Sequence, residues 1–198
     1  PHRRLLVHLR LSDEMDSSDT HFFRAEVVRR VIEPASYSLV GDRVEEVSYK
    51  ENTYFNTFSY ASDPALCESV GLDQDKMPVS FDWLEGLKNI YHLFRSTYFK
   101  DREYTLHLDF PTPHFSGQYG WAQQVMIRIF TISRTEYNYL MALSAYKTLD
   151  SGTIYDTEPG ITTNVKGGAG IFCIETMAVD SVYDDHHLIQ AGDYYQDF

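Results

Sequence analysis

A mainly β fold, an antiparallel β-sandwich or partly closed barrel with one packed α-helix, is what this sequence of 198 residues predicts, and three observations lead to it. Apolar and polar residues alternate with period two in four separate segments. Tyr (15) and Phe (12) raise the aromatic share to 15%, and aromatic side chains favour half-buried pleated surfaces. One stretch alone changes to helical spacing, behind a capping signal. With 43% hydrophobic residues the chain can bury a real core, and residues 1–198 read as a single β-rich domain.

Residues 5–11 alternate, with Leu5, Val7, Leu9 and Leu11 on one face and His8 and Arg10 on the other. That is a half-buried strand. After a polar, acidic loop over residues 12–20, Phe23, Ala25 and Val27 alternate against Arg24 and Glu26 as far as about Ile32, where Pro34 is expected to stop the strand. These two segments are expected to pair as a hairpin with a long loop. Residues 37–40 and 43–49 flank Gly41-Asp42, which predicts a second pairing across a tight turn. From Glu51 to Pro78 the pattern loosens around Asn52, Asn56, Asp63-Pro64 and Gly71. An excursion of that kind has little regular structure and is either functional or packed over a core edge.

Residues 103–110 form the cleanest strand, with Tyr104, Leu106, Leu108 and Phe110 facing inward, Thr105, His107 and Asp109 facing out, and Pro111 and Pro113 ending it. Residues 124–132 alternate Val125, Ile127 and Ile129 against Met126, Arg128 and Phe130, and the loop 112–120 is expected to join the two as neighbours. The helix opens at Ser133-Arg-Thr-Glu136, a capping box in which hydroxyl and carboxylate both satisfy first-turn amides. Tyr137, Leu140, Met141 and Ser144 then recur at helical spacing, placing the helix over about residues 134–149, with Asp150-Ser-Gly152 as its stop.

The most constrained stretch is Asn164-Val-Lys-Gly-Gly-Ala-Gly-Ile-Phe172. Gly167, Gly168 and Gly170 permit positive φ or close backbone approach, and Ile171, Phe172, Cys173 and Ile174 resume an extended apolar pattern. A bulged entry into a core strand is the first reading, and a loop that also contacts a ligand is the second. A phosphate loop needs a helix next, and in its Walker form a Lys-Ser/Thr pair; neither follows.

Net charge of −12, with an isoelectric point near 5.0, repels phosphate backbones, and the basic residues are dispersed, so nucleic acid is not an expected partner. No run of about 18 apolar residues is present to cross a bilayer as a helix. The chain begins without Met or a signal peptide and enters a strand pattern at once, as expected of the C-terminal part of a longer protein. Cys67 and Cys173 suit two buried thiols, or one disulfide in an oxidising compartment.

Several clusters invite a chemical reading. Asp13, Glu14, Asp16 and Asp19 share a loop, but the glycine and terminal glutamate of a calcium loop are missing, and a solvated tip is the expectation. Asp184-Asp185-His186-His187 has metal-ligating side chains, yet neighbours on an extended chain point opposite ways, so a polar tail is favoured. His2, His8, His21, His92, His107 and His114 make no zinc-hydrolase helix, and Gly-x-Ser-x-Gly does not occur. No catalytic, cofactor-binding or metal-binding residue is assigned. Trp83 and Trp121, the latter beside Tyr119, could be buried at a sandwich edge or stack on a ligand.

Four segments in order resemble one family. Ser62-Asp63-Pro64, then Phe94-Arg-Ser-Thr-Tyr-Phe99 leading to Glu103-Tyr-Thr-Leu106, then Ile132-Ser-Arg-Thr-Glu-Tyr-Asn-Tyr-Leu140, and finally Asn164 to Phe172 are similar to the ordered motifs of the domain-of-unknown-function 4249 family of Bacteroidetes outer-membrane lipoproteins. The resemblance covers about residues 60–180. Cys173 departs from it, since glycine is common there. It implies a lipid anchor upstream of Pro1, often a further immunoglobulin-like sandwich upstream, location at the outer membrane on its cell-surface or periplasmic face, and a TonB-dependent receptor as partner. It brings no catalytic residues. The function expected is therefore a non-enzymatic, surface-exposed accessory or binding component of a TonB-dependent uptake system, with contacts through the aromatic loop 115–121 or the excursion 51–78. The alternative is a surface glycan-active or peptide-active hydrolase using carboxylates of residues 51–82.

Overall fold

A computed structural model describes residues 2–16, 18–58, 63–67, 89–111, 121–149, 163–167 and 170–186. Among them the strands are β1 (His2–Arg10), β2 (Phe22–Val40), β3 (Arg43–Phe55), β4 (Leu93–Arg95), β5 (Glu103–Pro111), β6 (Trp121–Ile132) and β7 (Thr176–His186), with α1 (Arg134–Leu149) between the last two. They make two antiparallel sheets. β1 pairs with β5, Val7 opposite Leu106, while the larger sheet runs β3-β2-β6-β7 with β4 beside the start of β2. Leu5, Val7, Leu9, Leu106, Leu108 and Phe110 of the small sheet meet Phe23, Ala25, Val27, Val125 and Ile127 of the large one. The result is a sandwich rather than a closed barrel, and the expected inward faces are the observed ones.

The pairings differ from expectation. β1 and β2 are not a hairpin, nor are β5 and β6 neighbours: in each case the loop carries the chain from one sheet to the other. Alternation specifies which face a strand buries, and both sheets bury a face against the same core, so either sheet satisfies it. β2 also runs on through Pro34 to Val40. Its pairing with β6 ends at Ile32, so beyond that point β2 pairs with β3 alone among the described residues, and a register shift lies between Pro34 and Ser36, beside the residue that lacks an amide hydrogen. The hairpin at Gly41-Asp42 forms as expected, with Gly41 at φ +61°.

β3 takes in residues 51–55, so the excursion begins later than Glu51. Its described part includes a buried turn. Asp63 accepts hydrogen bonds from the amides of Ala65 (3.0 Å), Leu66 (3.0 Å) and His107 (2.8 Å) and from the Tyr104 hydroxyl (3.1 Å), which ties the turn to β5. Ala65 and Leu66 thereby enter the main core. Burial, then the Asp63 charge, pushes the Tyr104 hydroxyl up to about 12. Asn89 staples the next turn, donating to the carbonyls of Leu66 and Leu93 and accepting from the Leu93 amide.

α1 lies against the outer face of the large sheet, where Tyr137 and Met141 pack on Phe22, Leu93 and Ile132. Leu140 is half-buried at the margin of that contact, and buried Ser144 accepts the Ile90 amide at 3.0 Å. One half of the expected capping box is present: the Glu136 amide donates to Ser133 Oγ at 3.1 Å. The Glu136 carboxylate turns the other way, toward Cys173 and Glu175. The expected stop at residues 150–152 lies outside the described residues.

Candidate functional site

The glycine-containing segment is organised by two polar side chains. Asn164 donates through Nδ2 to the Phe172 carbonyl and accepts the Phe172 amide on Oδ1, both at 2.7 Å, which imitates a pair of strand hydrogen bonds. Thr163 Oγ1 accepts the Val165 amide and donates to the Gly170 carbonyl. Gly167 and Gly170 take φ of +76° and +113°, conformations that an L side chain resists. The expected entry into a core strand does not follow. Residues 171–175 join no ladder among the described residues, and β7 starts only at Thr176.

The alternation in this segment is inverted. Phe172 is 76% exposed and Ile174 is 82% exposed, while Cys173 and Glu175 turn inward. What holds them is a charged ladder on the outer face of the large sheet. Arg24 Nη2 donates to both Glu175 oxygens at 3.0 Å, and its guanidinium lies 4.2 Å over the Phe130 ring. Arg24 also stands 3.8 Å from Glu26, whose other oxygen receives Arg128 at 2.9 Å. Polar groups that anchor two exposed apolar side chains reverse the usual order of burial.

Glu136 closes the cluster. Its residue is 4% exposed, and among the described residues its Oε2 finds no donor. Burial first, then the hydrogen bond and charge of Glu175, lifts the Glu136 carboxyl to about 7, against the lowering effects of Cys173 and Arg24. The Glu136 carboxyl therefore holds its proton to a higher pH than an ordinary glutamate does. Burial also pushes the Cys173 thiol up, with Glu136 and Glu175 adding to it, so it stays a thiol rather than a reactive thiolate. The cluster acts as a clamp that presents residues 172 and 174.

β7 continues the exposed surface with Met177, Val179, Val182 and Tyr183. Beside its first residues is a cavity of about 270 Å³ lined mainly by Leu9, Leu11, Phe23, Phe99, Ile129 and Ala178. A second cavity, of about 370 Å³, lies at the start of α1 between Asp19, His21, Phe22 and Arg134.

The other sequence candidates separate. Asp13 lies 3.7 Å from Arg10, and Asp16 accepts the Ser18 amide and hydroxyl at 2.8 Å, which lowers its pKa. Among the described residues no three His, Cys, Asp or Glu side chains are set to hold a metal. Residues 184–186 end β7, but their side chains, like His187, lie outside the described residues. So do Trp83, the loop 112–120 and the side chain of Trp121. Cys67 and Cys173 are both thiols, the first exposed and the second half-buried. Arg24, Glu26 and Arg128 were legible in the sequence only as the polar positions of strands and Glu136 only as a capping residue, while nothing there marked Glu175.

No curated protein and no solved structure matches the chain. A family described as a domain of unknown function (DUF4249) matches residues 3–179, so the likeness takes in β1 to β3 as well as the segments from residue 60 onward. The inverted segment at Phe172 and Ile174 thus falls inside the matched region, and the chain belongs to the DUF4249 family.

Proposed function

We propose that this chain is a non-enzymatic binding component: a surface-exposed lipoprotein of the Bacteroidetes outer membrane, anchored through a segment upstream, that serves as accessory to a TonB-dependent receptor. One observation carries the binding part of the reading, the outward presentation of Phe172 and Ile174 by a half-buried charged clamp. Exposed apolar side chains held rigidly lose little entropy on contact and make efficient anchors. The membrane location and the receptor rest on the family resemblance.

The test is capture of the native, lipid-anchored protein from outer membranes, beside a Phe172→Ser/Ile174→Ser variant. A TonB-dependent receptor recovered in stoichiometric amount with the native chain and lost with the variant supports the reading. Recovery unchanged by the variant removes this surface from it. The hydrolase alternative places its carboxylates in residues 51–82, where Asp63 is already committed to four donors. Turnover of a glycan or peptide library, abolished by one Asp or Glu change there, would establish that alternative instead.

A further inference from the structure

The two edges of the large sheet are built differently. β3, at one edge, carries Arg43, Glu45, Glu46, Lys50 and Glu51, charges of both signs, and Lys50 and Glu51 are tied across to Glu33 and Arg30 of β2. Such charges blunt an edge against further pairing. β7, at the other, has eleven residues without proline, lysine or arginine, and among the described residues no strand pairs with its second side. Met177, Val179 and Tyr183 are exposed on one face and Val182 on the other. Its charges are all acidic: Asp180, Asp184 and Asp185.

We infer that the side of β7 with which no described strand pairs accepts an extended segment of a partner protein as an added strand, one in which apolar residues alternate with Lys or Arg. The inference rests on the binding reading above and names the chemistry of the partner. Backbone groups of an unpaired edge supply the hydrogen bonds, and side chains of alternate residues supply the selection. The cavity beside Thr176, Met177 and Ala178 offers the incoming strand a place for one large apolar side chain. Charge chooses between occupants. A second copy of this chain would bring the same three aspartates to the same edge, between two molecules of net charge −12, and like charges opposite one another destabilise a strand pair. A basic, apolar strand meets the opposite sign.

The experiment uses the full chain and three synthetic peptides of about nine residues, a usual strand length. One alternates Val and Lys, one alternates Val and Glu, and the third is the Val-Lys peptide with alternate backbone amides methylated. Fluorescence anisotropy should show the Val-Lys peptide binding about tenfold or more tighter than the Val-Glu peptide. Hydrogen exchange should slow in β7 and not in β3. The methylated peptide keeps every charge but cannot form the ladder, so equal binding by it overturns strand addition in favour of bulk electrostatics. Asp180→Lys should weaken the Val-Lys peptide several-fold with an unchanged melting temperature. Sedimentation that reveals a dimer dissolved by Val179→Lys overturns the choice of occupant. Receptor capture that is lost with Phe172→Ser/Ile174→Ser but unaffected by Val179→Lys leaves the binding reading standing and strand addition refuted.

Discussion

The raised pKa of buried Glu136 gives this fold a pH dependence opposite to that of a carboxylate held ionised by an ion pair. The folded pKa of Glu136, about 7, lies above its ordinary 4.5, so the folded chain holds the proton longer than the unfolded one. The stabilisation is complete below 4.5 and is lost as pH rises through 7. Glu136→Gln keeps the shape and does not titrate; its urea midpoint should stay level as pH rises through neutrality while that of the parent falls, a gap of about 1–2 kcal/mol on the alkaline side. Coincident profiles would mean that the Glu136 pKa is not raised in the folded chain. Both oxygens of buried Asp63 are engaged, so Asp63→Ala should cost about 3–5 kcal/mol in urea unfolding by stranding its donors. Asp63→Asn tests the electrostatics separately. With the negative charge gone, Tyr104 should titrate below about 12 in alkaline absorbance spectra, though burial keeps it above the ordinary 10.

At the scale of elements, the faces were legible, and of the pairings only the local one across Gly41-Asp42 was. Leu5 to Leu11 and Tyr104 to Phe110 display their buried side in the sequence, because period two is a local property. That the two strands pair with each other, Arg4 opposite Asp109, depends on contacts about a hundred residues apart, which no local pattern encodes. Pro34 misled because its cost depends on whether a second neighbour needs its amide. The polar half of the capping box and the glycine loop show the same limit: Glu136 and residues 171–175 follow a charged ladder assembled from β2, β6 and the glycine segment. Within α1 the consequence is measurable. Met141→Asp should destabilise by several kcal/mol, roughly as a charge forced into a core does, and Leu140→Asp by distinctly less, since Leu140 only borders the contact. Equal losses would place both residues in one core.

For the molecule as a whole, stability against pH reflects two buried groups of opposite slope. His92, buried at φ +52°, has its pKa lowered to about 4, with burial the main cause. Its contribution is present above 6.5 and is lost as pH falls through 4. Between 4.5 and 6.5 the His92 and Glu136 slopes oppose, so the parent should show a broad plateau there. His92→Asn, which tolerates the left-handed backbone, should lose the acid slope and keep the alkaline one, whereas Glu136→Gln does the reverse. Thermal melts of both variants across the range check the pair; a single variant that flattens both slopes would show one coupled network instead of two groups.

The pairing of β1 with β5 also sets an order of events during synthesis. β1 leaves the ribosome well before Glu103, and at about 5–20 residues per second the interval is roughly 5–20 seconds. The β2 and β3 hairpin closes locally within that time, while Leu5, Val7 and Leu9 still lack the strand that completes their sheet. A nascent chain of this protein therefore displays an apolar, unpaired strand until residues 103–111 have followed it, which makes β1 the segment that a holding chaperone should find first.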